Sequence, residues 1–219
     1  GVDRSYESTI IETTNNDTSN KKLSVNIQVP EKIKIDFELS YISAKAPFDL
    51  DIKAIESIIE YKEQDMLIEA LQLIDNRIAG IAILKNRVYI DLGLRKLMPV
   101  EVLGDGVRRT VNIITKIYKC RNGIVLVDEL DNGIHYSSLP VIWKAIILAC
   151  EKFNVQFFAT THNIDSLKTL KDTAGNLSVE IQNEIRCIKL EQAPNDNLIA
   201  FNYSFPEFSY AIEMEHEIR

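Results

Sequence analysis

The sequence predicts an α/β fold, a mostly parallel sheet with flanking helices, and three observations carry that prediction. The run from Ile124 to Val127 is short, apolar and β-branched, starts after Gly123 and ends in Asp128 and Glu129, which is how a strand buried on both faces of a parallel sheet reads. Residues 155–161 (VQFFATT) form a second buried strand, ending in His162 and Asn163. Between them Ser137 and Ser138 offer a helix cap, and Pro140 suits the first turn of a helix through Trp143 to Cys150. A strand, helix, strand unit of this length is a right-handed parallel crossover, so Asp128, Glu129 and His162 are expected on one rim of the sheet. The third observation lies upstream. Leu103 to Arg109 is a glycine-rich turn opening onto a helix whose Val107, Val111, Ile114, Ile117 and Tyr118 follow helical spacing.

In chain order, residues 1–20 are rich in Ser, Thr and Asn and predict a flexible lead-in. Residues 23–29 and 33–42 alternate around Pro30-Glu31 and predict a hairpin. From Asp49 the period turns helical. Ile52, Ile55, Ile58 and Ile59 make one apolar face, and Leu67, Ala70, Leu71 and Ile74 another. Residues 81–84 and 87–91 predict strands joined at Lys85-Asn86. After His162, residues 165–170 complete a short helix, residues 185–190 and 198–203 alternate as a hairpin around Asn195-Asp196-Asn197, and residues 207–219 suit an amphipathic helix.

The 219 residues suffice for one large domain or two small ones, and hydrophobic residues at 46% with charged residues at 26% are ordinary globular composition. A net charge of -7 argues against broad, non-specific nucleic-acid affinity, which needs clustered Lys and Arg. Cys120, Cys150 and Cys187 show no metal-ligand spacing and fit reduced thiols in a cytoplasmic protein. No apolar run approaches a membrane span, and no signal peptide is present in the sequence.

Two adjacent carboxylates at a strand tip suit nucleotide hydrolysis: one holds Mg²⁺, directly or through water, and the other orients or deprotonates an attacking water. This is a Walker B pattern. Glycines beside a helix N-terminus leave amides free for an anion. Arg108 and Arg109 oppose the macrodipole at that helix start, which favours a phosphate-facing or interface role, although Arg109 fits a solvated face equally well. The phosphate-wrapping GxxxxGK[ST] loop does not occur in the sequence.

The wording VLGDGVRR, VDELDNGIH and FATTHN, in that order and spacing, resembles the heads of ATP-binding-cassette (ABC) ATPases over roughly residues 41–219. More closely it resembles the soluble branch containing RecF, the structural-maintenance (SMC) proteins and the OLD ATPases, and the bacterial AAA-type ATPases often found in anti-phage defence modules. The resemblance implies a P-loop NTPase of ABC type using ATP and Mg²⁺. Its helical and signature lobe would span about residues 49–120, and its Walker B to switch-histidine core residues 121–219. Gly104, Asp105, Gly106 and Arg108 would form a signature loop that reaches the nucleotide of the other protomer of a dimer. Asp128 would support Mg²⁺, Glu129 would be the catalytic base, Asn132, Gly133 and His135 would lie in the D-loop, and His162 would be the switch histidine. Transporter-type heads often carry an Asp at the position of His135.

The simplest explanation of the missing loop is that the chain is the C-terminal part of a longer ATPase, with its N-terminal Walker A part removed or encoded separately and then a required partner; a degenerate head is the less favoured alternative. The final HEIR resembles natural C-termini of the family, which predicts no further nuclease domain. Alone, the chain is expected to bind ATP weakly and hydrolyse it negligibly. Two function classes follow: an ATPase that pairs around two nucleotides and acts on an effector protein, a nuclease or a nucleic acid, or a non-hydrolysing module that docks a partner.

Overall fold

The computed structural model describes residues 10–12, 25–27, 37–44, 50–192 and 198–214, and the chain divides into two units, residues 1–36 and 37–219. In the first, β1 (Ile10–Glu12) and β2 (Val25–Ile27) pair antiparallel with Ile10 opposite Ile27. This corrects the expected hairpin of residues 23–29 with 33–42. The strand β2 has its partner upstream, inside the stretch read as a lead-in, while β3 (Leu39–Ile42) belongs to the parallel sheet of the second unit. Alternation reports which side chains share a face, not which strand lies alongside. The rest of the expected lead-in lies outside the described residues.

The second unit begins with α1 (Ile52–Glu60), capped by Asp51, whose carboxylate accepts the Ala54 N–H at 3.1 Å. Together with α2 (Gln64–Gln72) it turns Ile55, Ile58, Leu67 and Leu71 into the core, as their spacing dictates. Next come β4 (Gly80–Leu84), β5 (Arg87–Asp91) and the short β6 (Met98–Pro99), an antiparallel sheet. Its first turn places Lys85 and Asn86 both at positive φ, 50° and 59°, the conformation that tight hairpins require.

The helix α3 (Asp105–Lys119) is buried almost continuously from Val107 to Tyr118. It leads into β7 (Ile124–Val127) and α4 (Leu139–Phe153), which has Pro140 in its first turn and ends at left-handed Asn154. The strand β8 (Gln156–Ala159) is followed by α5 (Ile164–Gly175), longer than the sequence suggested, and by α6 (Val179–Glu184), which it did not suggest. An antiparallel pair, β9 (Arg186–Gln192) and β10 (Leu198–Ser204), matches the predicted hairpin. The last described helix, α7 (Phe205–Glu213), starts earlier than expected because Ser204 and Glu207 form a capping box ahead of it.

The parallel sheet has the order β3-β7-β8, with β7 central and Val127 in register with Ile42 and Ala159. Val125 and Val127 join the main core with residues of α3 and α4. The opposite face differs from the expectation of strands buried on both sides. Ile124 and Leu126 are half-buried, Tyr41 is 59% exposed and Phe158, on edge strand β8, 44% exposed. A sheet of three strands has only one interior strand, so two of the three present an edge. A smaller core of Leu167, Ala174, Phe205, Phe208 and Ile212 joins α5 to α7. No helix among the described residues is long and apolar enough to cross a membrane.

Candidate functional site

The tip of β7 gathers the chemistry. Where the strand ends, the Asp128 N–H donates to Ile42 O at 2.9 Å, continuing the ladder from β3 by one residue. Glu129 then turns out of the sheet with φ 45°, a left-handed conformation for a residue with a Cβ. That geometry costs about 1–2 kcal/mol and persists only where its surroundings hold it. Here they hold it from two sides.

On the β8 side stands Thr160. Its N–H donates to Val127 O at 2.9 Å and its carbonyl accepts the Leu130 N–H at 3.0 Å, so its backbone brackets the acid pair. Its hydroxyl donates to Asp128 Oδ1 at 2.8 Å and accepts the Glu129 N–H at 2.9 Å. One residue further on, Thr161 donates to Asp131 Oδ1 and also accepts the Asn163 N–H. On the α3 side stands Arg109, only 2% exposed, whose Nη2 donates to Asp128 O at 3.4 Å and Glu129 O at 3.3 Å. Burial lowers the pKa of this guanidinium, and the charge of Asp131 opposes that shift. Of the roles drawn from the sequence for Arg109, phosphate-facing, interface or solvated, the solvated one does not describe it: within the chain it is a buried brace between α3 and the carboxylate turn.

The other predicted residues distribute around this turn. Asn132 donates through Nδ2 to Ala44 O at 3.3 Å and to Glu129 Oε2 at 3.4 Å, so it touches the predicted base directly. Gly133 has φ 73°, which suits glycine. His135 caps the following short turn and packs on Tyr136, with Nδ1 2.9 Å from Ser137 Oγ. Those contacts are local to residues 135–137. His162, exposed, follows Thr160 and Thr161 on the rim reached by β7 and β8. At the start of α3, Gly104 has φ 85°, Asp105 pairs with Arg108 at 3.3 Å, and Gly106 lies beside Ser138, where a Cβ would still fit at 3.6 Å from Oγ.

The sequence reading missed Thr160, Thr161, Asp131 and the true place of Arg109. A signal for Thr160 existed: in a parallel pair with the two runs in register, the residue after the second strand falls beside the first acid.

A family model described as "AAA domain, putative AbiEii toxin, Type IV TA system" matches residues 6–167 of the chain. The chain belongs to this AAA family. A curated relative, the ATP/GTP phosphatase of Helicobacter pylori, is 22% identical over 173 residues, which are 76% of this chain and 46% of that protein. The AAA chain thus spans about half the length of that relative. A solved structure from work on ATP-driven dimerization and DNA-stimulated activation of SMC ATPases covers 74% of this chain and 98% of its own, at a TM-score of 0.44 and 11% identity. The parallel sheet with helices around it is the architecture of P-loop ATPases, the class to which AAA domains belong.

The donor set of this AAA domain suits Mg²⁺ better than a transition metal. Among the described residues no group of three or more His, Cys, Asp or Glu could enclose an ion. Mg²⁺ needs no such cage, because it keeps several waters and takes one or two carboxylates plus substrate phosphates. Asp128 at an open strand end fits that requirement. The cysteines do not enter: Cys120 is buried, and burial pushes the Cys150 thiol up to about 12.

Proposed function

We propose that the chain supplies the hydrolytic half of an ATPase site, with Asp128 and Glu129 as its working carboxylates. The observation that carries this reading is the strained turn at Glu129, placed at the carboxyl end of the central parallel strand and braced by Thr160 and Arg109. Backbone strain maintained at a strand tip is characteristic of functional sites. The family match and the name of the Helicobacter pylori relative support the same activity class.

In this reading Asp128 holds Mg²⁺ through its carboxylate, with Thr160 fixing one oxygen. The ion, when bound, polarises the terminal phosphate for attack. Glu129 orients a water and takes its proton, while Asn132 keeps the carboxylate directed by its contact with Oε2. His162 addresses the γ-phosphate from the end of β8. Gly104, Asp105, Gly106 and Arg108 present the N-terminal end of α3 to a nucleotide held by a second protomer, and Asn132, Gly133 and His135 face that same junction. The phosphate-cradling loop comes from sequence outside these 219 residues. Nucleotide state would then be passed to an effector protein, a nuclease or a nucleic acid. A phage-defence role follows from the resemblance and draws on no residue of the site.

A docking role without turnover is the second reading, and one observation favours it. Ile188 and Leu190 on β9 lie exposed on one face of a two-stranded ribbon, and Ile199 and Phe201 on β10 lie exposed on the other. A ribbon with exposed apolar side chains on both faces is a surface that a partner would cover.

ATP turnover of the full-length protein, wild type against Glu129→Gln, separates the two. Loss of turnover with ATP-bound dimers accumulating supports the ATPase. Equal behaviour of both proteins, with partner binding intact, supports the docking module.

A further inference from the structure

We propose that Thr160 is a positioning residue for the hydrolytic site, its hydroxyl fixing the Asp128 carboxylate and the Glu129 backbone amide at once. This inference rests on the ATPase reading above and deepens the part that Thr160 plays in it.

The register that puts Ala159 beside Val127 puts Thr160 beside Asp128. The single Thr160 hydroxyl then does two things with its two capacities: the O–H donates to Asp128 Oδ1 at 2.8 Å, and a lone pair accepts the Glu129 N–H at 2.9 Å. The first bond engages Oδ1 of Asp128 and leaves Oδ2 as the oxygen to meet a cation. The second fixes the backbone amide of a residue in a left-handed conformation, and so fixes where the Glu129 side chain leaves the main chain. The Thr160 backbone adds bonds on either side of the pair, to Val127 O and from the Leu130 N–H. The backbone bonds survive any side-chain substitution except Pro, whereas the hydroxyl is open to deletion.

Valine at this site keeps the volume and β-branching of threonine and removes the hydroxyl. The Glu129 N–H then loses its acceptor, and Asp128 loses its fixed rotamer. Because Thr160 lies two residues before His162, the same hydroxyl also ties the histidine-bearing strand end to the base.

The test uses the full-length protein and compares wild type, Thr160→Val, Thr160→Ser and Glu129→Gln. With Thr160→Val, kcat for ATP should fall roughly tenfold or more while KM stays within about twofold, since misplacement of reacting groups costs rate rather than binding. The Mg²⁺ concentration giving half-maximal turnover should rise in the same variant, a change that a merely structural role would not produce. Thr160→Ser, which keeps both bonds, should restore kcat to within about threefold of wild type. If Thr160→Val does not yield folded protein, Thr160→Cys, close in volume with a weak donor, gives the same comparison. Wild-type kcat and Mg²⁺ dependence in the hydroxyl-deleted variant, with Glu129→Gln inactive, would overturn the positioning role and leave the ATPase reading standing. Full activity of Glu129→Gln would overturn both.

Discussion

Arg109 shows at a single residue how the site is held. Its buried guanidinium reaches two backbone carbonyls through one nitrogen, Nη2. Here the acceptors are the carbonyls of Asp128 and Glu129, with Asp131 close enough to offset part of the burial. Arg109→Lys keeps the charge but changes the reach of the donor: Glu129 O retains the Asn132 N–H at 3.0 Å, while Asp128 O loses its Arg109 bond. The expected cost is about 1–3 kcal/mol, seen as a lower denaturant midpoint at unchanged slope. A midpoint equal to that of wild type would show that the carbonyls find other donors. Local sequence gives no sign of this arrangement, because two arginines at a helix start look alike, yet Arg108 pairs with Asp105 in the first turn and Arg109 enters the core. A helical step of about 100° separates them, and only the position of β7 decides which one is buried.

Among the elements, β7 and its neighbours impose the strictest demands. A Cβ added at Gly123 would lie 2.1 Å from Glu38 O and 3.0 Å from Cys120 O, both backbone atoms that cannot swing aside. The Ile124 N–H donates to that same Glu38 carbonyl at 2.9 Å, so the close approach is what starts the β3–β7 ladder. Gly123→Ala should therefore destabilise by about 3 kcal/mol, toward the upper end of overpacking costs, and thermal unfolding reads it directly. A melting temperature within error of wild type would contradict the close approach.

Asp51 ties α1 to α3 in a comparable way, capping Ala54 while Lys119 and Lys116 approach its other oxygen at 3.0 and 3.5 Å. Burial pushes its pKa up, but the Lys119 hydrogen bond, the Ala54 amide and the two lysine charges outweigh burial, so the folded value lies below 3.8. Since the folded pKa is depressed, the contribution is present above the unfolded value and fades as pH falls through the folded one. Asp51→Asn keeps a capping oxygen but removes the charge facing Lys119 and Lys116, and should cost up to about 1 kcal/mol near neutral pH. The gap to wild type should close as the pH drops below about 4. A gap constant from neutral to acid pH would assign the effect to something other than the charge.

For the whole molecule, what the sequence made legible follows from what periodicity encodes. The faces of α1, α2 and α3, the acid pair at the end of β7 and the C-terminal hairpin all rest on spacing within a dozen or so residues. The partner of β3 rests on a register more than eighty residues away, between Ile42 and Val127, and alternation alone led instead to a hairpin with its sequence neighbour. The half-exposed character of β8 depends likewise on the number of strands beside it, a property of the assembled sheet. Within the site, the acids and His162 carried a visible pattern, whereas Thr160 and Arg109 became functional candidates only through the sheet register and the packing of α3.

If the tip of β7 is the hydrolytic centre, as proposed, the most direct test is single-turnover ATP cleavage by the full-length protein with and without Glu129→Gln. The variant should then bind ATP as wild type does and form nucleotide-bound dimers, while cleavage falls by about two orders of magnitude or more. Cleavage at the wild-type rate in Glu129→Gln would contradict it and move the chemistry away from this turn.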